Sequence, residues 1–435
     1  MLKYQAIFAL YFTAILHVGA QGSFVRVADG QFKIGQEPYC YLGANLWFGM
    51  YLAATDPIGD HGRLETELNT LQSLGIKNVR VMVAAEGPND APYRVQPALQ
   101  FAPKKYDERL LEGIDRLLVE LGKRDMKAVL CLNNFFQWSG GMAQYVSWAT
   151  GQDIPYPHEP PYDWDRFQEF SADFFTNRKA KRWFRKYLRK VIKRTNKLSG
   201  TPYRDDPTIM AWQLANEPRG FSKVEAYKKW VQSTSAYIKK LDDNHLVSLG
   251  GEGFLSDESI GTAFRELSSC KDLDYLTMHL WVENWQWYKP AEPATYDSAL
   301  VKAIKYLDRH LPVAQSVNKP IVLEEFGISR DGGGCSPGAA TTRRDHFFTQ
   351  IFEYALHKAQ NGQALAGLNF WSWSGEGLPP RPNEMWAVND PLTGDPPHEF
   401  QGWYSIYSAD DSTLSVIQKY AEYFNSLSSQ EAANH

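Results

Sequence analysis

The stretch DERLLEGIDRLLVELGKR, residues 107–124, followed almost at once by KAVLCLN, residues 127–133, sets the reading of the whole chain. In the first part Leu110, Ile114, Leu117 and Leu121 recur at steps of three and four, which places them on one face of a helix. The second part is a short apolar run with no polar alternation, as expected of a strand buried on both faces. NVRVMV (78–83), upstream of the helix, reads the same way. Working outward, further runs of this type occur at CYLGANLW (40–47), IMAWQLAN (209–216), LVSLG (246–250), YLTMHLW (275–281), PIVLEEF (320–326) and LAGLNFWSW (365–373). Eight doubly buried strands separated by helical patterns predict an α/β fold, a closed parallel (β/α)8 TIM barrel. Before them, SFVRVADGQFKI (23–34) predicts a β-hairpin turning at Asp29-Gly30 and placed to plug the barrel floor. After the last run, the Pro- and Gly-rich stretch from Ser374 to Gly402 predicts an extended rim loop, the kind of segment that carries function in barrels.

A chain of 435 residues suggests about three domains at roughly 150 residues each, but barrels routinely exceed that size as one unit. With no Ser/Thr/Pro-rich linker in sight, residues 21–435 are expected to form a single catalytic domain. The opening MLKYQAIFALYFTAILHVGA has a lysine, an apolar stretch from Ala6 to Leu16, and then Val18 and Ala20 before Gln21. This predicts a signal peptide over 1–20 and a secreted, extracellular protein. The formal net charge of −4, with charges well mixed, gives no global reason to expect a nucleic-acid or membrane partner. The local exception is Arg178 to Arg194, which holds ten basic residues. Because Trp183, Tyr187 and Val191, with Phe184, Leu188 and Ile192, recur every four positions, the run reads as an amphipathic helix with a solvated basic face. Cys40, Cys131, Cys270 and Cys335 allow three disulfide pairings, all open to a secreted chain. The chain has neither C-x-x-C nor H-E-x-x-H, so no metal and no cofactor are expected.

In a parallel barrel the chemistry sits at the carboxyl ends of the strands. Acids at or just beyond those ends are Glu86, Glu217, Glu252, Glu283, Glu324, Glu325 and Glu376. Taken singly, Glu86, Glu252, Glu283 and Glu376 read as solvated loop acids. Glu217, in WQLANEPRG, and Glu325 differ because each follows directly on an apolar strand and can reach the barrel mouth. Two carboxyls in unlike surroundings can divide the work, one holding a proton and the other a charge. Side-chain alternation sends Glu324 and Glu325 to opposite faces, so only one can meet Glu217, and periodicity does not say which.

The set NVRV (78–81), ANEPR (215–219), MHLW (278–281), LEEFG (323–327) and NFWSW (369–373), in this order and on these strands, resembles glycoside hydrolase family 5. NEPR, LEEFG and DPPHEFQGWYS (395–405) are similar to its endo-β-1,4-mannanases, and the likeness runs through essentially the whole mature chain. The resemblance implies a retaining mechanism with Glu217 as acid/base and Glu325 as nucleophile. It implies that Asn216 holds the sugar's 2-hydroxyl, that Arg80 lies beneath the nucleophile and stabilises its charge, and that His279 donates to the sugar or to Glu325. Trp281 stands where many members carry a tyrosine whose hydroxyl bonds the nucleophile; an indole N–H can donate once but neither accept nor ionise.

Sugar faces are patches of C–H groups that pack on flat aromatic rings. Trp47, Trp138, Trp281, Trp285, Trp287, Trp371, Trp373 and Trp386 fall at or beyond strand ends. Trp47 and Trp138 are favoured as substrate contacts because both sit early in rim loops. Trp371 and Trp373 share one face by alternation, and the resemblance points to Trp371 as the platform under the cleaved sugar. The resulting expectation is a monomeric endo-β-1,4-mannanase acting on mannan, galactomannan or glucomannan. Its rivals are an endo-β-1,4-glucanase of the same fold and a non-catalytic glycan-binding barrel. Mannose and glucose differ here by one axial hydroxyl, worth about 1 to 3 kcal/mol of discrimination.

Overall fold

The computed structural model describes residues 23–255 and 260–430; the signal peptide expected over 1–20 lies outside these. All eight expected strands form: β1 (Tyr41–Asn45), β2 (Asn78–Met82), β3 (Lys127–Cys131), β4 (Ile209–Gln213), β5 (Leu246–Ser248), β6 (Leu276–Leu280), β7 (Ile321–Phe326) and β8 (Leu365–Phe370). Their order in the sheet is β5-β4-β3-β2-β1-β8-β7-β6, every pair parallel. The remaining seam, between β5 and β6, is drawn together by Asp274 N–H donating to Val247 O at 2.8 Å and His279 N–H donating to Glu252 O at 3.1 Å. The result is a closed (β/α)8 barrel.

Helices ring the barrel because each carries one apolar stripe to bury. In Glu108–Gly122 the stripe is the one read from the sequence: Leu110, Ile114, Leu117 and Leu121 are fully buried. Asp60, Asp107 and Asn177 start their helices by accepting backbone N–H bonds that the first turn would otherwise leave unpaired. The long excursion between β3 and β4 carries helices Gly141–Thr150 and Trp164–Ala172 before the basic helix Arg178–Ile192. All the apolar runs but PIVLEEF overshoot their strands at the carboxyl end. β1 stops at Asn45 and β8 at Phe370, and the chain then turns to form Trp373–Gly375, paired with Ile406–Tyr407.

Beneath the barrel, Val25–Ala28 and Gln31–Ile34 form the expected hairpin. Asp29 and Gly30 have φ of +53 and +73, the left-handed pair that a type I′ turn requires. Val25 and Phe32 pack with Tyr41, Val129, Met210, Tyr275 and Val322 from the barrel floor, and the Phe32 ring meets that of Tyr275 edge-on at 5.2 Å. All four cysteines are free thiols, so none of the three possible disulfide pairings is made. Burial pushes the Cys40 and Cys131 thiols up to about 12. Among the described residues no helix is long and apolar enough to cross a membrane.

Because the Phe32 ring fills the floor, Phe32→Ala is expected to cost roughly 3–5 kcal/mol of stability while leaving the distant rim untouched. Urea unfolding alongside turnover per folded molecule checks this: stability falls and turnover does not.

Candidate active site

Arg80, on β2, points up the inside of the barrel and is almost wholly buried. Its Nε donates to Gln213 Oε1 at 2.7 Å, Nη2 to Asn216 Oδ1 at 2.8 Å, and Nη1 to Asn45 Oδ1 at 3.1 Å and to Glu325 Oε1. Burial works against the guanidinium charge, but the charges of Glu325 and Glu324 and the hydrogen bond to Glu325 act together against it, and the Arg80 pKa is raised. Arg80 therefore lies beneath Glu325, as the resemblance implied. Asn216 spends its carbonyl on Arg80, and its amide donates to Asn134 Oδ1 at 3.3 Å. The second amide hydrogen is left for the cleft, which Asn216 lines.

Glu217 follows β4 with φ +49, a left-handed conformation that costs a non-glycine residue on the order of 1–2 kcal/mol. Its N–H donates to Gly250 O at 2.8 Å, and the side chain is thereby turned into the mouth of the barrel. Glu217 Oε1 accepts from His279 Nδ1 at 2.6 Å and from the Trp281 indole at 3.2 Å. His279 Nδ1 also lies 3.3 Å from Glu325 Oε2. Carboxylate oxygens of Glu217 and Glu325 come within 4.8 Å of one another. Glu217, His279 and Glu325 also have the spacing of a metal site, but the Nδ1–H bond to Glu217 uses the nitrogen a cation would need.

Strict alternation fails on β7. Its pairing with β6 shifts from Met278↔Leu323 to His279↔Glu325, inserting one residue as a β-bulge. Glu324 and Glu325 consequently both face inward rather than to opposite sides. Glu325 takes the mouth, while Glu324 sits a layer lower, accepting from Gln213 Nε2 at 2.7 Å and facing the Tyr275 hydroxyl at 3.4 Å.

His279 and Glu217 share one proton across their 2.6 Å bond. Burial alone would push Glu217 up, but the hydrogen bond and charge of His279, with the charge of Arg219, bring it below the usual carboxylate range. Burial alone would push His279 down, but the Glu325 charge and the bonds to its carboxylate neighbours hold it well above an ordinary histidine. The resting proton thus sits on His279 Nδ1, one short bond from Glu217. His279 serves Glu217 first and Glu325 second, and the Trp281 indole steadies Glu217 rather than the nucleophile.

These groups open into a cleft of about 710 Å³ whose walls include Trp138, Trp281, Trp285, Trp287, Trp371 and Trp403. Trp371 packs edge-on against Trp281 at 5.9 Å, as a platform must be held. Trp47 corrects its expectation: its indole donates to Gly394 O at 2.9 Å, and the ring sits behind Trp138 at 5.4 Å, outside the cleft. A loop position next to a strand end does not make a side chain face the substrate when a later loop closes over it. Trp373 likewise turns into the core to bond Glu67, because the chain has left β8 before reaching it. Trp386 bonds Asp390 O and is not among the cleft walls.

Three of the acids read as solvated are buried: Glu86, Glu252 and Glu283; Glu376 is exposed as expected. Burial pushes Glu86 up to about 8 and Glu252 up to about 7. Glu252 is gripped by Arg219 through Nε and Nη2, each at 2.7 Å, and both residues line the cleft. Glu283 orients the Trp403 indole at 2.9 Å and accepts the Ser329 amide. Sequence reasoning missed Gln213, Asn45, Glu252, Arg219, Trp403, His398 and Glu399. Gln213 had a signal, a lone amide within an apolar strand at the same period-two positions as Glu217. Burial lowers His398 to about 3, and burial beside Asp395, Glu325 and Glu217 holds Glu399 well above the carboxylate range. Both residues line the cleft.

If the Glu325 charge holds the proton on His279, Glu325→Gln lowers the His279 pKa, since burial then acts with less opposition. A ¹⁵N-imidazole titration is expected to show His279 staying protonated well above the ordinary histidine pKa of about 6.5 in the parent and releasing its proton at lower pH in the variant. An unchanged titration contradicts the coupling.

A model of the family described as GH family 5 beta-mannosidase-like matches residues 22–429. The Arabidopsis thaliana protein Mannan endo-1,4-beta-mannosidase 7 is 31% identical over 413 residues, which are 92% of this chain and 84% of that protein. Mannan endo-1,4-beta-mannosidase 5 of Solanum lycopersicum is 29% identical over 370 residues, 82% of each chain. Among solved structures, a Glycoside Hydrolase Family 5 Mannosidase from Rhizomucor miehei superposes with a TM-score of 0.87 at 38% identity, over 95% of this chain and 100% of that one. With its barrel, its paired glutamates and a match that spans nearly the whole length, the chain belongs to glycoside hydrolase family 5, in its β-mannosidase-like group.

Proposed function

We propose that the protein is an exported, monomeric retaining enzyme that hydrolyses internal β-1,4-mannosidic bonds in mannan-type polysaccharides by double displacement. The observation that carries this reading is the approach of the Glu217 and Glu325 carboxylates to within 4.8 Å. Retention calls for carboxyls about 5–5.5 Å apart, whereas inversion needs about 6.5–9.5 Å to admit a water. The relatives named as mannan endo-1,4-beta-mannosidases support the bond cleaved. A Rhizomucor miehei family 5 mannosidase solved with mannosyl-fructose, 38% identical, supports recognition of a mannosyl unit. The leader read over 1–20 supports export.

In the first step Glu325 attacks the anomeric carbon of a sugar resting on Trp371, while Glu217 protonates the departing oxygen. The two events are coupled through His279. As Glu325 becomes an ester its charge disappears, and with it the largest influence holding the proton on His279. The proton held on His279 Nδ1 crosses the 2.6 Å bond to Glu217, which hands that same proton to the leaving oxygen and is left a carboxylate. In the second step Glu217, now a carboxylate, takes a proton from water, which attacks the same carbon and restores Glu325. Arg80 and Asn216 hold the frame, and the free amide hydrogen of Asn216 meets the 2-hydroxyl as positive character develops at the anomeric carbon.

Glu217→Gln is expected to lower kcat on mannotetraose by about 10²–10⁴-fold, and to lower it far less on an aryl mannoside whose leaving group needs no proton. Glu325→Ala is expected to abolish turnover on both. NMR of the first product should show the β anomer; an initial α anomer refutes the covalent intermediate. Reducing-end release from galactomannan against carboxymethylcellulose settles the polymer, and release from the latter alone points to a glucanase.

A further inference from the structure

The basic helix Arg178–Ile192 lies outside the barrel, and no residue between 169 and 215 lines the catalytic cleft. Between Asn177 and Arg194 the chain has no acidic residue, while the rest of the sequence holds 36 basic residues against 50 acidic ones. On its solvent side Arg178, Arg182, Lys186, Arg189 and Lys193 are exposed at spacings of four, four, three and four. They form one straight row about 22 Å long, at 1.5 Å of rise per residue. Among the described residues, no carboxylate lies within ion-pairing distance of Arg178, Arg182, Lys186 or Arg189; the nearby acid Glu108 is shared by Lys190, Arg194 and Lys197.

A face that serves only to stay wet gains from interspersed acids. Each like-charge pair at i,i+4 is destabilising, and this helix repeats them at 178/182, 182/186, 185/189, 186/190 and 189/193. Arg178 and Lys179 also stand in the first turn, where the helix dipole disfavours cations. The row continues into a shallow hollow of about 530 Å³ where six cations, Lys186, Arg189, Lys190, Lys193, Arg194 and Lys197, surround one acid, Glu108. A flat ring completes the surface. Trp183 is half-buried beside the row, with Lys179 Nζ 5.0 Å from its centroid.

We propose that this face is a second carbohydrate-binding surface that takes linear polysaccharides bearing carboxylates, the uronic-acid polymers. The cation steps of about 6 Å suit one charge per sugar unit better than the charge density of duplex nucleic acid, about one per 1.7 Å. The uncovered part of a half-buried indole offers a pyranose an apolar face, whereas a duplex offers no exposed ring to stack on it. The surface is independent of the reaction in the cleft and would hold the enzyme on an acidic matrix while the cleft works on neutral chains.

Affinity electrophoresis in gels containing polygalacturonate, galactomannan or duplex DNA tests this, using the parent, R182E/K186E/R189E and W183A. The parent is expected to be retarded by polygalacturonate in a salt-dependent way. The triple variant should bind about tenfold or more weakly, with the slope of log Kd against log salt reduced by about three. W183A should lose retention on polygalacturonate but not any weak retention on DNA. All three should hydrolyse soluble mannotetraose equally; if the reversal does not fold, R182Q/K186Q/R189Q takes its place. No retardation of the parent, undiminished retention of the triple variant, or retention strongest on DNA and indifferent to Trp183 overturns the proposal.

Discussion

A single buried guanidinium is the constraint on which the catalytic end of this protein depends. An unpaired charge inside a barrel costs several kcal/mol, and removing one partner of a buried pair typically costs about 3–5 kcal/mol. Arg80 is therefore surrounded: Asn45 from β1, Gln213 and Asn216 from β4 and its extension, and Glu325 from β7 each take one of its hydrogens. Gln213 in turn holds Glu324. One cation thus dictates a polar layer drawn from four strands, resting on an apolar floor closed by Phe32 and the hairpin. Glu325, the proposed nucleophile, belongs to this layer and is held by the same bonds that solve a burial problem.

The layer also decides where charge can move. Glu325 faces Arg80 on one side and His279 on the other, and His279 faces Glu217. Losing the charge on the first glutamate is felt as a proton released toward the second. In the proposed reaction, timing between bond formation and proton transfer needs no moving part, only three side chains fixed at short distances in a poorly hydrated space. The strained backbone at Glu217 and the bulge before Glu325 are the local costs of that fixation.

Much of this was legible in the sequence. All eight strands, their parallel order, the hairpin turn at Asp29-Gly30 and the strand-end place of Glu217 follow from runs, periods and turn residues, which are local properties, whereas the choice of Glu325 over Glu324 came from the family resemblance. What was not legible depends on distant segments meeting. Glu86, Glu252 and Glu283 look like loop acids until Gly141, Arg219 and Ser329 arrive to bond them. Trp47 looks like a rim aromatic until Gly394, nearly the whole chain away, covers it. The inward turn of both Glu324 and Glu325 rests on a one-residue shift in pairing, which no pattern within β7 announces. Gln213 is the intermediate case, visible as an anomaly but assigned a purpose only by Arg80.

The four cysteines bear on where such a molecule can be made. Each is an unpaired thiol, and Cys40 and Cys131 have pKa values pushed up to about 12, so thiolate, the reactive form, is scarce in them. No crosslink has to form before the barrel closes, and none can be lost to a reductant afterwards. The fold is therefore indifferent to the redox state of the compartment, and glutathione-rich cytosol should suit its production as well as an oxidising lumen does.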